Sequence, residues 1–132
     1  MGRFSREKGK RGERAVAQLL RLNTGKDVRR RVRQTDGDSD LVGFGHWVVE
    51  VKFANLLRLD EWWRQAQAQT DDGLPVLIYK QSNARQPWRV RCRLTDVAIP
   101  SRLHVGVFEP ELKVDMTMDD WLVAIGEWNP AD

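Results

Sequence analysis

The stretch Trp47-Val48-Val49-Glu50-Val51-Lys52-Phe53 decides how the rest of this sequence can fold. Successive side chains of a β-strand point to opposite faces, so its odd-numbered residues form an apolar face, while Glu50 and Lys52 share the other face about 7 Å apart at their Cα atoms. A carboxylate and an ammonium in so apolar a strand are costly unless they are paired or used. The pattern predicts a strand that carries either an ion pair or a functional site.

The residues before this strand predict a hairpin that brings a third charged group to the same face. With Leu41-Val42 as the first strand and Gly43-Phe44-Gly45 as the turn, Asp40 lies opposite Val48. Asp40 and Glu50 are then diagonal neighbours, roughly 7–8 Å apart. A two-residue turn would shift the register and move Asp40 to the wrong face.

A helix is predicted from Arg11 onward, with Ser5 as its N-cap and Asn23-Thr24-Gly25 as its end. Its apolar stripe consists of Ala15, Val16, Leu19, Leu20 and Leu22. Glu13 lies three residues before Val16, in line with this stripe, so its carboxylate is expected to point towards the sheet.

Five further elements are predicted around these. They are an exposed or edge strand over residues 28–33, a helix capped by Asp60, a buried strand over 74–80, a half-buried strand over 88–94 and a helix capped by Thr117 and ending at Gly126. A strand over 105–108 is a weaker candidate. The order predicts an α/β fold, a mixed β-sheet flanked by helices.

The positive charge of the chain is concentrated at its beginning. Residues 1–33 hold 12 Lys and Arg against 3 Asp and Glu, a net charge of +9, whereas residues 34–132 hold 10 against 16, a net charge of −6. Such asymmetry favours a polyanionic partner, and nucleic acid is the obvious one. A solvated basic tail is the alternative, but helical and strand patterns run through this region.

Length and composition exclude several classes of protein. The 132 residues fit one domain, with a core over about 5–94 and an appendage over 95–132. No apolar run approaches the ~20 residues of a membrane-spanning helix, and the N-terminus does not resemble a secretory signal. The single cysteine, Cys92, excludes an internal disulfide and suits a reducing cytoplasm.

Two or three carboxylates beside a lysine suit metal-assisted hydrolysis of phosphodiesters. Carboxylate oxygens are hard ligands of the kind that Mg²⁺ prefers. A bound cation neutralises charge on the phosphate and activates water, and a lysine can orient that water or stabilise developing charge. A plain Glu50–Lys52 ion pair is the alternative, but Asp40, Glu13 and the basic first quarter of the chain together favour the catalytic interpretation.

An ordered series of short motifs resembles a known group of nucleases. The motifs are Lys8-Gly9 with Gly12-Glu13-Arg14, Asp40-Leu41-Val42, Val49-Glu50-Val51-Lys52, Gly73-Leu74-Pro75-Val76-Leu77 and Pro87-Trp88-Arg89-Val90. Over about residues 5–94 they resemble the archaeal-type Holliday junction resolvases and their bacteriophage relatives, within the PD-(D/E)XK superfamily. The position before Asp40 is Ser39 and not the proline of the superfamily's name.

The resemblance implies a restriction-endonuclease-like core and a role for each site residue. Asp40 and Glu50 would bind Mg²⁺, or Mn²⁺ in its place, with the carbonyl of Val51, and Glu13 would complete the metal site, directly or through water. Lys52 would be the catalytic lysine. Gln65 resembles a polar residue near the site in related phage proteins. The residues expected to contact DNA are Lys8, Lys10, Arg11, Arg14, Arg29, Arg30, Arg31 and Arg33.

The function implied is a structure-selective endonuclease, a Holliday junction resolvase that leaves 5′-phosphates. Such resolvases are homodimers that nick two strands symmetrically, and a phage origin would place this one in the cytoplasm of a bacterial host. Alternatives are the same active site acting on flaps, forks or plain duplex, an inactive DNA-binding protein of the same fold, and a protein-binding accessory factor with tryptophans as its contact surface.

Two groups of residues remain open between roles. Trp62 and Trp63 lie on an apolar stripe, so core packing is the first expectation and a dimer interface the second. Arg89, Arg91 and Arg93 alternate with apolar residues on one strand, and either DNA contact or solvation accounts for them.

Overall fold

The computed structural model describes residues 2–32, 39–97 and 112–129. Its helices are α1 (Arg3–Thr24), α2 (Leu59–Gln69), α3 (Leu94–Val97) and α4 (Met118–Ala124). Its strands are β1 (Arg29–Arg30), β2 (Leu41–Val42), β3 (Trp47–Ala54), β4 (Leu74–Gln81), β5 (Arg89–Arg93) and β6 (Lys113–Thr117).

Four of the described strands form a mixed sheet in the order β3-β4-β5-β6. β3 and β4 are parallel and are joined by α2, whereas β5 and β6 are each antiparallel to the strand before them. β1 and β2 form a separate antiparallel pair. The α/β fold predicted from the sequence, a mixed sheet flanked by helices, is confirmed, and it is consistent with a restriction-endonuclease-like core.

Helices cover the two faces of this sheet with different sets of side chains. α1 and α4 pack on the face that carries Val49, Val51 and Val76, together with Val16 and Leu20 of α1. The other face carries Leu77 and Tyr79, which pack against α2. No helix in the described ranges is long and apolar enough to cross a bilayer.

The second helix buries its two tryptophans, as the apolar stripe predicts. Trp62 and Trp63 are only 8% and 4% exposed and pack with Ala66 against the sheet. An exposed tryptophan pair at a dimer interface is therefore excluded. The helix begins at Leu59 after Arg58, so Asp60 lies in its first turn and is not its N-cap.

Two other predicted boundaries differ from the structure. α1 begins at Arg3 with Gly2 as its N-cap, so Ser5 lies inside the helix, while its end at Gly25 in the left-handed conformation is as predicted. Of the strand predicted over residues 28–33, the described residues 28–32 form only β1, in which Arg29 and Arg30 pair with β2. The candidate strand over 105–108 lies outside the described residues.

The predicted hairpin between β2 and β3 is wrong in its pairing. β2 pairs with β1, with Arg29 opposite Val42 and Arg30 opposite Leu41. The contact with β3 is made instead by Asp40, whose N–H donates to the carbonyl of Val49 at 2.9 Å. Asp40 thus reaches β3, but it does so opposite Val49 and not opposite Val48.

The segment after residue 94, expected to be an appendage, contributes to both the sheet and the core. β6 pairs with β5, and Trp121 and Leu122 of α4 are fully buried. The predicted cap of α4 is confirmed, since the Thr117 side chain accepts a hydrogen bond from the N–H of Asp120. The sequence pattern did not predict β6.

Arg91 ties three elements together. It is 7% exposed, and its Nε and Nη1 atoms donate to Asp115 of β6 at 2.9 Å and to Asp60 of α2 at 3.2 Å. The hydroxyl of Tyr79 donates to the same Asp115 oxygen at 2.7 Å. Neither solvation nor DNA contact describes Arg91, and Arg93 pairs with Asp96 at 2.8 Å.

In the turn between β2 and β3, glycine is required more strictly at position 43 than at position 45. Gly43 has a φ of +91°, and a Cβ atom there would lie 2.3 Å from the backbone oxygen of Asp27. Gly45 has a φ of +62°, with nothing within 4 Å of the same atom. The left-handed conformation costs a non-glycine residue about 1–2 kcal/mol, and a backbone clash adds to this.

We expect Gly43→Ala to lower the free energy of unfolding by about 3 kcal/mol and Gly45→Ala by about 1 kcal/mol. Urea denaturation of both variants measures the difference. Equal losses would mean that the approach of the turn to Asp27 is not a structural constraint.

Candidate active site

Asp40 lies at the edge of the sheet, beside β3. Besides its backbone bond to Val49, its Oδ2 atom accepts a hydrogen bond from the N–H of Val51 at 2.7 Å, and the residue is 8% exposed. The N–H and C=O of one strand residue point to the same side, so the Val51 carbonyl also faces this edge. The strand backbone therefore holds the Asp40 carboxylate in a fixed position.

Glu50 and Lys52 lie on the α2 side of the sheet, where β3 carries them opposite Leu77 and Tyr79 of β4. Glu50 is 8% exposed, and its Oε1 lies 3.6 Å from the Nζ of Lys52. The same-face placement predicted from the strand period is confirmed. Lys52 is more exposed than Glu50, so its ammonium is the accessible member of the pair.

Burial and neighbouring charge raise the pKa of Glu50 to about 8. The largest cause is desolvation, followed by the negative charge of Asp40, while the ammonium of Lys52 acts in the opposite direction. A site that crowds two carboxylates in this way favours either a proton or a cation.

Glu13 is also buried, at 9% exposed, but it is held by a different partner. Its Oε2 accepts a hydrogen bond from the Nε of Arg30 at 2.6 Å. Within the described ranges, no three His, Cys, Asp or Glu side chains are close enough together to hold one metal ion. Glu13, Asp40 and Glu50 therefore do not form a cluster of three carboxylates here, and Glu13 is paired with Arg30.

The remaining donors fit a hard divalent cation. Asp40 and Glu50 provide carboxylate oxygens, and Val51 provides a carbonyl oxygen at the same edge of β3. Mg²⁺ commonly takes one or two carboxylates and completes its shell with water and substrate oxygens. Two buried carboxylates that repel each other would gain stability from such a cation, so the donor set and its electrostatics agree.

Arg31 positions the loop that leads into Asp40, a role that the sequence did not suggest. Its Nε donates to the carbonyl of Ser39 at 2.9 Å, and its backbone N–H donates to the carbonyl of Asp40, also at 2.9 Å. The hydroxyl of Ser39 also accepts a bond from Nη2 of Arg31. A basic residue expected to meet DNA thus braces the site.

The other basic residues predicted to contact DNA are spread along α1 and β1. Arg11 and Arg14 are exposed, Lys10 lies 3.8 Å from Glu7, and Arg29 pairs with Asp27 at the surface. Arg33 lies outside the described residues. Gln65 is exposed on α2 and has no hydrogen bond within the described part of the chain.

A comparison with protein families finds a match over most of the chain. Residues 4–123 match the family described as "Phage putative PDDEXK endonuclease". The match includes α1, the whole of the sheet and most of α4. The chain matches no curated protein and no solved structure.

Proposed function

Because the chain belongs to this family of phage PD-(D/E)XK endonucleases, we propose that it is a Mg²⁺-dependent endonuclease that hydrolyses DNA phosphodiesters at Asp40, Glu50 and Lys52. The observation that carries this proposal is the placement of two buried carboxylates and a more exposed ammonium around one edge of β3. Mn²⁺ is proposed as a substitute for Mg²⁺.

Asp40, Glu50 and the Val51 carbonyl would hold the cation. When bound, Mg²⁺ neutralises charge on the scissile phosphate and makes water a better nucleophile. The N–H of Val51 holds the Asp40 carboxylate in its orientation, and the burial of Asp40 and Glu50 limits the access of bulk water to both carboxylates. Glu13 contributes through its negative charge, which acts on Glu50.

Lys52 supplies the accessible positive charge of the site. Its ammonium, 3.6 Å from Glu50, can donate a hydrogen bond to the attacking water or to a phosphate oxygen as charge develops there. Water adds its oxygen to phosphorus and the bond from phosphorus to the 3′-oxygen breaks. The products are a 5′-phosphate and a 3′-hydroxyl.

For the substrate, we propose branched DNA, with a Holliday junction as the first choice, cut by a homodimer in the cytoplasm of a bacterial host. The resemblance of the ordered motifs over about residues 5–94 supports this choice, as does the net charge of +9 over residues 1–33. A four-way junction offers two equivalent strands, and a two-fold symmetric dimer would present one site to each.

A cleavage assay on matched substrates tests the proposed substrate. A synthetic four-way junction and a linear duplex of the same sequence are incubated with the protein in Mg²⁺ or EDTA. We expect paired symmetric nicks in the junction that are absent in EDTA. Equal cutting of the duplex would contradict junction selectivity while leaving the nuclease activity in place.

A further inference from the structure

Three polar side chains meet beyond the carboxyl ends of the parallel strands β3 and β4. The Nζ of Lys8, from α1, donates to Asn55 Oδ1 at 3.0 Å and to Ser82 Oγ at 3.5 Å. The hydroxyl of Ser82 donates to the same Asn55 oxygen, and its N–H donates to the carbonyl of Ala54 at 2.9 Å. These residues, Lys8, Asn55 and Ser82, are called the Lys8 cluster below.

The Lys8 cluster holds the ammonium of Lys8 in place through neutral partners, which leave its positive charge unbalanced. Lys10, Lys26 and Lys52 each lie within 4 Å of a carboxylate, whereas Lys8 has only neutral oxygen partners among the described residues. An ammonium has three donors, and the two bonds to Asn55 and Ser82 leave one available. The amide NH₂ of Asn55 also donates to no protein acceptor in the described ranges.

The position of the Lys8 cluster relates it to the candidate active site. Asn55 follows Lys52 by three residues along β3 and the loop after it, a distance of roughly 10 Å at the strand rise. DNA carries one phosphate per 3.4 Å of axis on each strand, so the cluster is within reach of a phosphate about one to three nucleotides from the one at Lys52. Crevices beyond the carboxyl ends of parallel strands commonly bind ligands.

We propose that the Lys8 cluster binds one non-scissile phosphate of the cleaved strand and thereby sets the position of the scissile phosphate at Lys52. This proposal rests on the proposed function, since it concerns the same DNA. Lys8 provides the charge, while Asn55 and Ser82 hold the ammonium in place and Asn55 adds an amide donor.

The test combines neutral phosphates with charge variants. Binding is measured by fluorescence anisotropy in Ca²⁺, on the best-cleaved substrate, with one phosphate at a time replaced by an uncharged methylphosphonate. The proteins are wild type, Lys8→Gln and Asn55→Asp, which places a carboxylate beside Lys8. Lys113→Gln is the matched control, because it removes the same charge from an exposed lysine of β6, three strands away from β3 in the sheet.

We expect one methylphosphonate, within three nucleotides of the cleaved bond, to weaken binding by wild type about three- to tenfold. That same replacement should have no effect on Lys8→Gln or Asn55→Asp, which already bind the unmodified DNA more weakly. Lys113→Gln should keep the full sensitivity. Thermal unfolding of each variant shows whether the fold is retained.

Two results would overturn the proposal, and they differ in what they say of the proposed function. If wild type cleaves DNA but Lys8→Gln stays as sensitive as wild type to every methylphosphonate, the nuclease stands and the Lys8 cluster is not a phosphate site. If wild type neither binds nor cleaves any DNA, both proposals fail together.

Discussion

We expect Asp40→Asn to lower the rate of DNA cleavage by at least about 10³-fold while leaving the fold intact, because a neutral amide is a weaker ligand than a carboxylate for a divalent cation. The Asn oxygen still accepts the hydrogen bond from the N–H of Val51, so the edge of β3 keeps its structure. Single-turnover cleavage at saturating protein measures the chemical step without the contribution of binding.

A matched variant separates the site from the general charge of the protein. Asp27→Asn removes an exposed carboxylate that pairs with Arg29 at the surface, and it should cleave at the wild-type rate. Comparable losses in the two variants, or a fully active Asp40→Asn protein, would show that Asp40 is not a metal ligand.

We expect Glu50→Gln to raise the melting temperature of the metal-free protein by roughly 10 °C at pH 8.5. The folded protein raises the pKa of Glu50 to about 8, mainly through burial, compared with an ordinary value of 4.5. Between these two pH values the folded state binds more protons than the unfolded state, so wild-type stability falls as the pH rises through this window. A neutral amide removes that loss.

The advantage of Glu50→Gln should be small near pH 4.5 and reach its full size above pH 8. Adding Mg²⁺ should stabilise the wild type at pH 8.5 and leave Glu50→Gln almost unchanged, because a cation favours the charged carboxylate. Glu61→Gln, on the exposed side of α2, is the control, and it should match wild type both in its melting temperature and in its response to Mg²⁺. A difference between wild type and Glu50→Gln that does not depend on pH would contradict the raised pKa of Glu50 described for the site.

Local periodicity was sufficient to predict much of this fold. The two faces of β3, the tryptophan stripe of α2, the buried strand β4 and the Thr117 cap of α4 all depend on residues within a few positions of each other. Such patterns reflect the geometry of a single helix or strand, and in these elements the tertiary packing preserves the structure that they favour.

What the sequence did not predict depends on contacts between distant residues. β6 is held by pairing with β5 and by the bonds of Asp115 to Arg91 and Tyr79. Its five residues do alternate between polar and apolar, but so short a run does not by itself distinguish a strand. The pairing of β2 with β1 instead of β3 is likewise a choice between partners that a local pattern does not encode.

The candidate site likewise has features that the sequence predicted and others that it did not. The strand period placed Glu50 and Lys52 together, and the short turn brought Asp40 to the same strand. The bond between Glu13 and Arg30 joins residues 17 positions apart, and both were assigned other partners from the sequence. Charge alone could not show which arginines face DNA and which support the protein's own structure.

Nicking of the synthetic four-way junction by wild type and Glu50→Gln, in Mg²⁺ and in EDTA, tests the central claim most directly. We expect paired nicks with wild type in Mg²⁺ only, and a DNA ligase that requires a 5′-phosphate and a 3′-hydroxyl should reseal the nicked duplexes that result. Nicking that persists in EDTA or in Glu50→Gln, or that leaves ends the ligase cannot join, would contradict a metal-dependent nuclease site at Asp40, Glu50 and Lys52.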